Sequence, residues 1–539
     1  MYGSITLENR FGVNKMELIS LKYAIFVIVL LVLYYCFPKK YRWYVLLAGS
    51  MAYYVIICKW YVLFIIFTIC TTYGSTIWID KLLKKQNAVV KSHKEDWDRQ
   101  TRKEYKEKGR KKRVAVMLFA LLCNFGILAF LKYIPYAGEI GLLLPLGISF
   151  YTFQSMGYVM DVYREIVEPE KNFFKVALFV SFFPQIIQGP IAIYDKLAGQ
   201  LYEGHSLRLE NLQKGALLVL WGVMKKLVIA DRAVNIINFV MDKPMDFSGT
   251  YVFFAAVVYA LQLYADFSGG IDIVRGIAEM FGITMSTNFN HPYFSRSLTE
   301  YWHRWHMTLG DWCRNYIFYP LSISKRFLNF GKWLKPRFGA HISKVLPGCI
   351  ASVITFIVIG VWHGANMKYL YFGLWNGIVI MLAELFAPVN KKVSGGFFKL
   401  TGLREKGIFA TIVSVFWTFM LILVGYYFDI AANASTAFHM LFKSVTDFHI
   451  SELGINNIIL NLGACGLDEY DILLLIICTL LWFFISFVEE NKKLDMRDFI
   501  LSRKLPLRWA IIYLGIFIVI IFGYYGPGVN PADFVYMQF

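Results

Sequence analysis

The sequence predicts an all-α polytopic membrane protein with about 11–13 membrane helices, some short or tilted. Three observations predict it. Of 539 residues, 57% are hydrophobic and the mean hydropathy is +0.50, more apolar surface than a water-soluble fold can bury. Run after run approaches or exceeds the roughly 18 apolar residues that mark a bilayer-spanning helix. The charge is also concentrated. Residues 81–113 hold fourteen Lys/Arg against five Asp/Glu, half of the chain's net +18, between two apolar runs. That is the positive-inside pattern of a cytoplasmic segment, not the footprint of a nucleic-acid binder.

The apolar runs fall at 23–37, 43–58, 60–79, 114–131, 141–160, 249–265, 350–362, 369–387, 409–428, 471–488 and 509–525. Two more, 173–194 and 215–240, are interrupted by polar residues. The first run has no small-residue cleavage site after it and reads as a retained helix. The basic "PKKYR" (38–42) and the loop 81–113 both belong in the cytoplasm. Two helices separate them, which places the N-terminus outside. The basic loop also suits an acidic carrier or anionic lipid, but its role as a topology signal accounts for it. The eight cysteines are scattered, without CxxC or zinc spacing, and read as small buried residues. No internal repeat or low-complexity tract appears.

Between about 145 and 390 the character changes. Gln154, Asp161, Gln185, Gln188, Asp266, Asp272, Arg275, His306, His363 and Asn366 stand within or beside apolar runs. Such residues are costly in hydrocarbon and normally face a bundle interior or a wet cavity. In "FFPQIIQGPIAIYDKL" (182–197), Pro184, Gly189 and Pro190 predict a broken helix, tolerated at membrane depth where protein or water satisfies the freed backbone. In "YADFSGGIDIVRGIAEMFGI" (264–283), Asp272 and Arg275 stand three apart and are placed to pair. Residues 288–326 mix aromatic residues with Arg, His and Asp, the pattern of an interfacial or cavity-lining helix.

These segments resemble the membrane-bound O-acyltransferase (MBOAT) family, in particular its bacterial alginate O-acetyltransferase-like branch. The resemblance is carried by "PLGISFYTFQSMGYVMDVYR" (145–164), "FFPQIIQGPI" (182–191), "YADFSGGIDIVRGIAEMFGI" (264–283), "NFNHPYFSRSLTEYWHRWHMTLGDWCRNYIFYPL" (288–321) and "GVWHGANMKYLYFGLWNG" (360–377). "VGYYFDIAANASTAFHMLF" (424–442) and the terminal "FVYMQF" (534–539) match more weakly. The apolar runs and the polar residues among them predict one membrane domain over 1–539: N-terminal scaffold helices in 1–135, a catalytic core in 136–390 and C-terminal helices in 391–539. The resemblance implies a ring of helices around a central tunnel, with interfacial and re-entrant helices. It also implies catalytic roles for His363, in the Trp-His-Gly motif, and for His306, in the Arg-Trp-His motif. Three positions depart from the family pattern. "PLSISKR" stands where relatives often have Pro-Leu-Gly-Gly-Asn. Phe428-Asp429-Ile430-Ala431 replaces Phe-Arg-Ala, and Asn376-Gly377 replaces His-Gly.

The chemistry explains why a histidine belongs in an apolar setting. Moving an acyl group from a thioester to a hydroxyl needs a base, and a buried neutral imidazole is one. Gly364 is expected to let the acceptor approach His363. Asn366 or His306 would orient the reacting groups or donate to the oxyanion. Trp302, Trp305 and Trp362 would shape the tunnel and exclude water. With Gln188 and Asp266 they complete the candidate substrate-binding set. His303, His291, His341, His439 and His449 read as interfacial or loop residues. His303 and His306 stand three apart, but no third ligand joins them at a zinc spacing, so no metal is expected. No Gly-rich phosphate loop occurs.

The resemblance implies no bound cofactor. The acyl donor would be acetyl-CoA or an acyl-carrier-protein thioester on the cytoplasmic side. The acceptor would be a cell-surface or exported polysaccharide, or an extracytoplasmic SGNH-type acetyltransferase partner, and the location the bacterial inner membrane. Two alternatives stay open. D-alanyl transfer to teichoic acid from a carrier-protein thioester keeps the family and changes the cargo. A non-enzymatic transporter would use Pro/Gly-broken helices to line a pathway, but it would not consume a thioester.

Overall fold

The computed structural model describes residues 18–134, 138, 142, 144–401, 404, 407–454, 457, 465–526 and 534. The "FVYMQF" motif therefore lies outside the described residues, apart from Phe534. The described residues contain helices, turns and coil and no strand. Seven helical stretches are long and apolar enough to cross a membrane: Lys39–Ser92, Arg99–Tyr133, Gly249–Met280, Lys325–His363, Ile408–Ile430, Glu469–Lys492 and Leu505–Phe522. An eighth span results if Met367–Leu385 and Ala387–Thr401, bent by 66°, count as one. The chain is an integral membrane protein. Leu480 is 64% and Ile521 65% exposed, a display of apolar surface that only lipid satisfies.

Counting apolar runs separates more candidates than length and composition do. Leu21–Cys36 and Phe173–Gln188 are shorter apolar helices. The run at 141–160 becomes Ile148–Tyr163, buried from Ile148 to Val162. A helix apolar on all sides is equally at home in a protein core.

The chain packs as two compact units, Met1–Val219 with Ile271–Ser286 and Leu220–Gly270 with Thr287–Phe539. The first contains α1 (Leu21–Cys36), α2 (Arg42–Cys58), α3 (Val62–Ser92), α4 (Arg99–Tyr133), α5 (Ile148–Tyr163), α6 (Phe173–Ser181), α7 (Phe183–Gln188), α8 (Tyr194–Tyr202) and most of α9 (Leu209–Met224). The segment expected as a basic loop at 81–113 is instead a helical hairpin. α3 and α4 run on past their apolar parts, and only 93–98 turns between them. Lys, Arg and Glu are strong helix formers, so charge alone does not end a helix. Gln86 packs against Gly109, where a Cβ would lie 2.2 Å from its Oε1, and its Nε2 donates to the Lys106 carbonyl at 3.4 Å. Asp98 caps α4 by accepting from the Thr101 amide at 2.9 Å.

The expected break in 182–197 is present: α6 and α7 meet at Phe182, and α7 stops before Gly189. The Gln185 side chain then donates to the Pro190 carbonyl. Gly147, with φ +71°, starts α5 where a Cβ would lie 2.2 Å from the Ile186 carbonyl oxygen. Only glycine meets both conditions. Asp272 and Arg275 form the expected pair, at 3.6 Å.

The second unit holds a π-helical turn (Lys225–Ala230), α10 (Asp231–Met241) and the larger part of α11 (Gly249–Met280). Short α12 (Leu298–Arg304), α13 (Met307–Cys313) and α14 (Tyr319–Ser322) follow, then long α15 (Lys325–His363), kinked at Gly339. α16 (Met367–Leu385), α17 (Ala387–Thr401), α18 (Ile408–Ile430), α19 (Ala434–Thr446), α20 (Glu469–Lys492), α21 (Met496–Leu501) and α22 (Leu505–Phe522) complete it. α15 and α16 form a tight hairpin with His363 near its apex. Their backbones touch because Gly360 and Gly373 have no side chains. A Cβ on Gly360 would lie 2.2 Å from the Tyr369 oxygen, and one on Gly373 2.3 Å from the Phe356 oxygen. Small residues at such contacts are how membrane helices approach closely. Gly373→Val is expected to part the hairpin and cost about 1–3 kcal/mol or more. The thermal midpoint of the detergent-solubilised protein reads this, and an unchanged midpoint would refute the close packing.

Candidate active site

Residues of α11, α12, α13, α15, α16 and α18 line a pocket of about 520 Å³, counted to its open mouth. His306, His363, Asn376 and Asp429 supply its polar lining; Tyr301, Trp302, Trp305, Phe372 and Tyr426 supply aromatic walls. The two histidines singled out from the sequence thus share one pocket, with Trp302 and Trp305 beside them.

His306 sits where the chain turns between α12 and α13, at φ +44°. That left-handed conformation is uncommon outside glycine, though histidine adopts it more readily than most residues. Asn288 holds the turn. Its carbonyl accepts from the Met307 amide at 2.9 Å. Its side-chain oxygen accepts from the Thr308 amide at 3.1 Å, the Thr308 hydroxyl at 2.8 Å and His306 Nδ1 at 3.2 Å. Because Asn288 Oδ1 is an acceptor, Nδ1 of neutral His306 carries the proton and Nε2 holds the lone pair. Only 1% of His306 is exposed. Burial, helped by His363, pushes its pKa down to about 3.

Since its folded pKa is depressed, the unfolded chain takes up the proton first. Stability from this group is complete above about pH 6.5 and is lost as pH falls toward 3. His306→Gln is therefore expected to flatten the fall of the thermal midpoint between neutral and acid pH. Parallel curves for wild type and variant would contradict the assignment.

His363 ends α15 and is partly exposed to the pocket. Its ring lies 4.9 Å from that of Trp362, 5.5 Å from Phe372 and 6.0 Å from Tyr369, which stacks on it. Trp362 also reaches within 6.2 Å of the His306 ring. Gly364 does not clear a path for the acceptor as expected. A Cβ there would lie 2.5 Å from the Tyr369 ring, so the glycine makes room for the ring that stacks on His363.

Asn366 is likewise placed differently from the sequence expectation. It caps α16 by accepting from the Lys368 amide at 3.1 Å and donates to the Ala432 carbonyl at 3.3 Å. Both ends of its amide thus fix the turn after His363. Asp266 is fully buried but does not line the pocket; it pairs with Lys226 at 2.6 Å. Lys226 also meets Asp231 at 2.9 Å. Gln188 closes α7 in the first unit, fully buried. His303 is exposed, as expected of an interfacial residue.

Several pocket residues were not singled out from the sequence. Tyr293 donates to the Ala260 carbonyl at 2.6 Å, so Tyr426 donates to Tyr293 (3.1 Å) and Tyr301 to Tyr426 (2.7 Å). This one-way hydroxyl chain locks the aromatic wall. Trp302 Nε1 donates to Asn376 Oδ1 at 3.0 Å, and Asn376 Nδ2 to the Phe372 carbonyl at 2.8 Å. Asn376 was visible only as a departure from the family pattern.

Residues 169–335 match the family model of "MBOAT, membrane-bound O-acyltransferase family". Over this stretch the chain is similar to the MBOAT family. His306 lies inside the matched stretch and His363 beyond it. The chain is 30% identical over 315 residues to the probable alginate O-acetylase AlgI of Pseudomonas syringae pv. tomato, covering 58% of this chain and 54% of that protein. It is 29% identical over 314 residues to the peptidoglycan O-acetyltransferase of Helicobacter pylori, covering 51% and 56%. It is also similar to the teichoic acid D-alanyltransferase of Bacillus subtilis, 26% identical over 288 residues, or 52% of this chain and 67% of the relative. The alignments thus span little more than half the length of the first two relatives.

Proposed function

We propose that this MBOAT-like protein is a membrane O-acyltransferase. It moves an acetyl group from a cytoplasmic thioester, acetyl-CoA or an acyl-carrier-protein thioester, for O-acetylation of a cell-surface or exported polysaccharide. The observation that carries the reading is the pairing of His306 and His363 on one aromatic-walled pocket in a chain similar to O-acetyltransferases.

In this reading His363 takes the proton of the acceptor hydroxyl as the oxygen attacks the thioester carbonyl. The tetrahedral intermediate collapses, the C–S bond breaks, and the thiolate leaves with the proton from His363. His306, protonated on Nδ1, offers Nε2 as an acceptor. It therefore orients a hydroxyl and does not donate to the oxyanion, which alters the role expected from sequence. Trp302, Trp305 and Trp362 keep water from hydrolysing the thioester. The basic hairpin of α3 and α4 lies on the cytoplasmic side, in the inner membrane, with the N-terminus outside. An extracytoplasmic SGNH-type acetyltransferase is the natural recipient where the polymer itself does not reach the pocket.

D-alanyl transfer is the second reading, favoured by the similarity to the Bacillus subtilis relative and by a hairpin whose charge suits an acidic carrier. Proteoliposomes given labelled acetyl or D-alanyl thioester distinguish these readings. Acetyl consumption dependent on an acceptor is expected. Preference for the D-alanyl donor would move the assignment to the second reading, and consumption of neither would favour a transporter.

A further inference from the structure

The pocket carries a carboxyl group that proton transfer between hydroxyl and thiolate does not require. Asp429, near the end of α18, lines it together with His306 and His363. Histidines aside, it is the one ionisable carboxylate or base among the described lining residues. The Tyr259 hydroxyl donates to Asp429 Oδ2 at 2.7 Å and fixes the carboxylate. Lys368 is a nearby counter-charge that Asp429 feels; its ammonium donates to the backbone carbonyls of Asp429 and Ala431, each at 2.7 Å, and it does not itself line the pocket.

We propose that Asp429 makes this pocket select a neutral, hydroxyl-rich sugar as acceptor and reject a uronate sugar. The proposal rests on the acyl-transfer reading. An ionised carboxylate offers about four acceptor sites, and Tyr259 takes one. The others suit sugar hydroxyls. The rings of Tyr301, Trp302, Trp305 and Tyr426 in the lining suit the apolar face of a pyranose. A uronate would bring a second carboxylate into a water-poor site, where like charges are strongly disfavoured.

The test uses the full chain in proteoliposomes with labelled acetyl-CoA. Neutral and uronate oligosaccharides of equal length compete as acceptors. Wild type is expected to favour the neutral sugar by about tenfold or more in kcat/KM. Asp429→Asn, which keeps an acceptor oxygen for Tyr259, should cut that ratio about tenfold, and Asp429→Arg should turn it toward the uronate. A ratio is independent of the fraction of protein that folds. A wild-type ratio near one, an unchanged ratio in both variants, or faster transfer to a serine peptide than to either sugar overturns the proposal. Quenching of pocket tryptophan fluorescence by each sugar reads selection without the donor. Selective binding with no thioester consumption would overturn the acyl-transfer reading alone, whereas transfer without selectivity would overturn this one.

Discussion

His363→Ala is expected to reduce acetyl transfer by about 10²–10⁴-fold, the usual contribution of a positioned base, while membrane protein levels stay near wild type. The side chain ends a helix and is partly exposed to the pocket, so its loss widens the pocket instead of opening a sealed void. The turn that carries it is held by Asn366 and the hairpin by the close backbone contacts at Gly360 and Gly373, none of which needs the imidazole to keep α15 against α16. The measurement is the O-acetyl content of the surface polysaccharide at matched protein abundance. His303→Ala is the control, since His303 is exposed and should leave acetylation unchanged. Normal acetylation in the His363 variant would remove His363 from the mechanism, and D-alanine esters would then be the cargo to assay. His306→Ala is a less clean probe. It removes the imidazole and also one of the three bonds converging on Asn288 Oδ1, so activity and folding would fall together.

The helical, membrane-embedded character of the chain was legible in its apolar runs, and the polar residues among them pointed to the middle of the sequence. His306, His363, Trp302 and Trp305 indeed share a pocket. What periodicity could not supply was direction. Asn366 and Asp266 lie close to the motifs that carry the site, yet one caps a helix and the other binds a buried lysine. Asp429 and Tyr426 come from a segment more than a hundred residues after His306, and only folding brings α18 to the wall. The basic stretch 81–113 misled in another way. Its charge fixes which side of a membrane it prefers, but its Lys, Arg and Glu also favour helix, so a loop expectation became a hairpin. Lys226 had a signal that went unused: "MKKLVIADR" puts four charges into an apolar run, and such charges persist only when paired.

That pairing sets the largest stability effect to be expected. Lys226 is 3% exposed and lies between Asp266 at 2.6 Å and Asp231 at 2.9 Å. Burial alone would lower its pKa, but Asp266 and Asp231 outweigh that and raise it, so the ammonium stays charged. Lys226→Met removes the cation and leaves two buried carboxylates facing each other. Breaking a buried pair from one side costs about 3–5 kcal/mol, a large share of the roughly 5–15 kcal/mol that holds a typical domain folded. Converting the carboxylates as well, in Lys226→Met/Asp231→Asn/Asp266→Asn, is expected to recover most of the loss, because what destabilises is uncompensated charge. Thermal midpoints of the three proteins in detergent decide it. A single variant as stable as wild type, or a triple variant no better than the single, would show that the cluster does not act as an electrostatically coupled unit. The cluster also reaches the pocket. Asp266 sits one helical turn after Leu263, which lines it, and beside Phe267, whose ring lies 4.9 Å from that of His306. Residues three apart share a helix face. Loosening α11 at Asp266, the partner of Lys226, should therefore shift the wall against which His306 is held, so the single variant should lose acetyl transfer below its unfolding temperature and the triple variant should regain it.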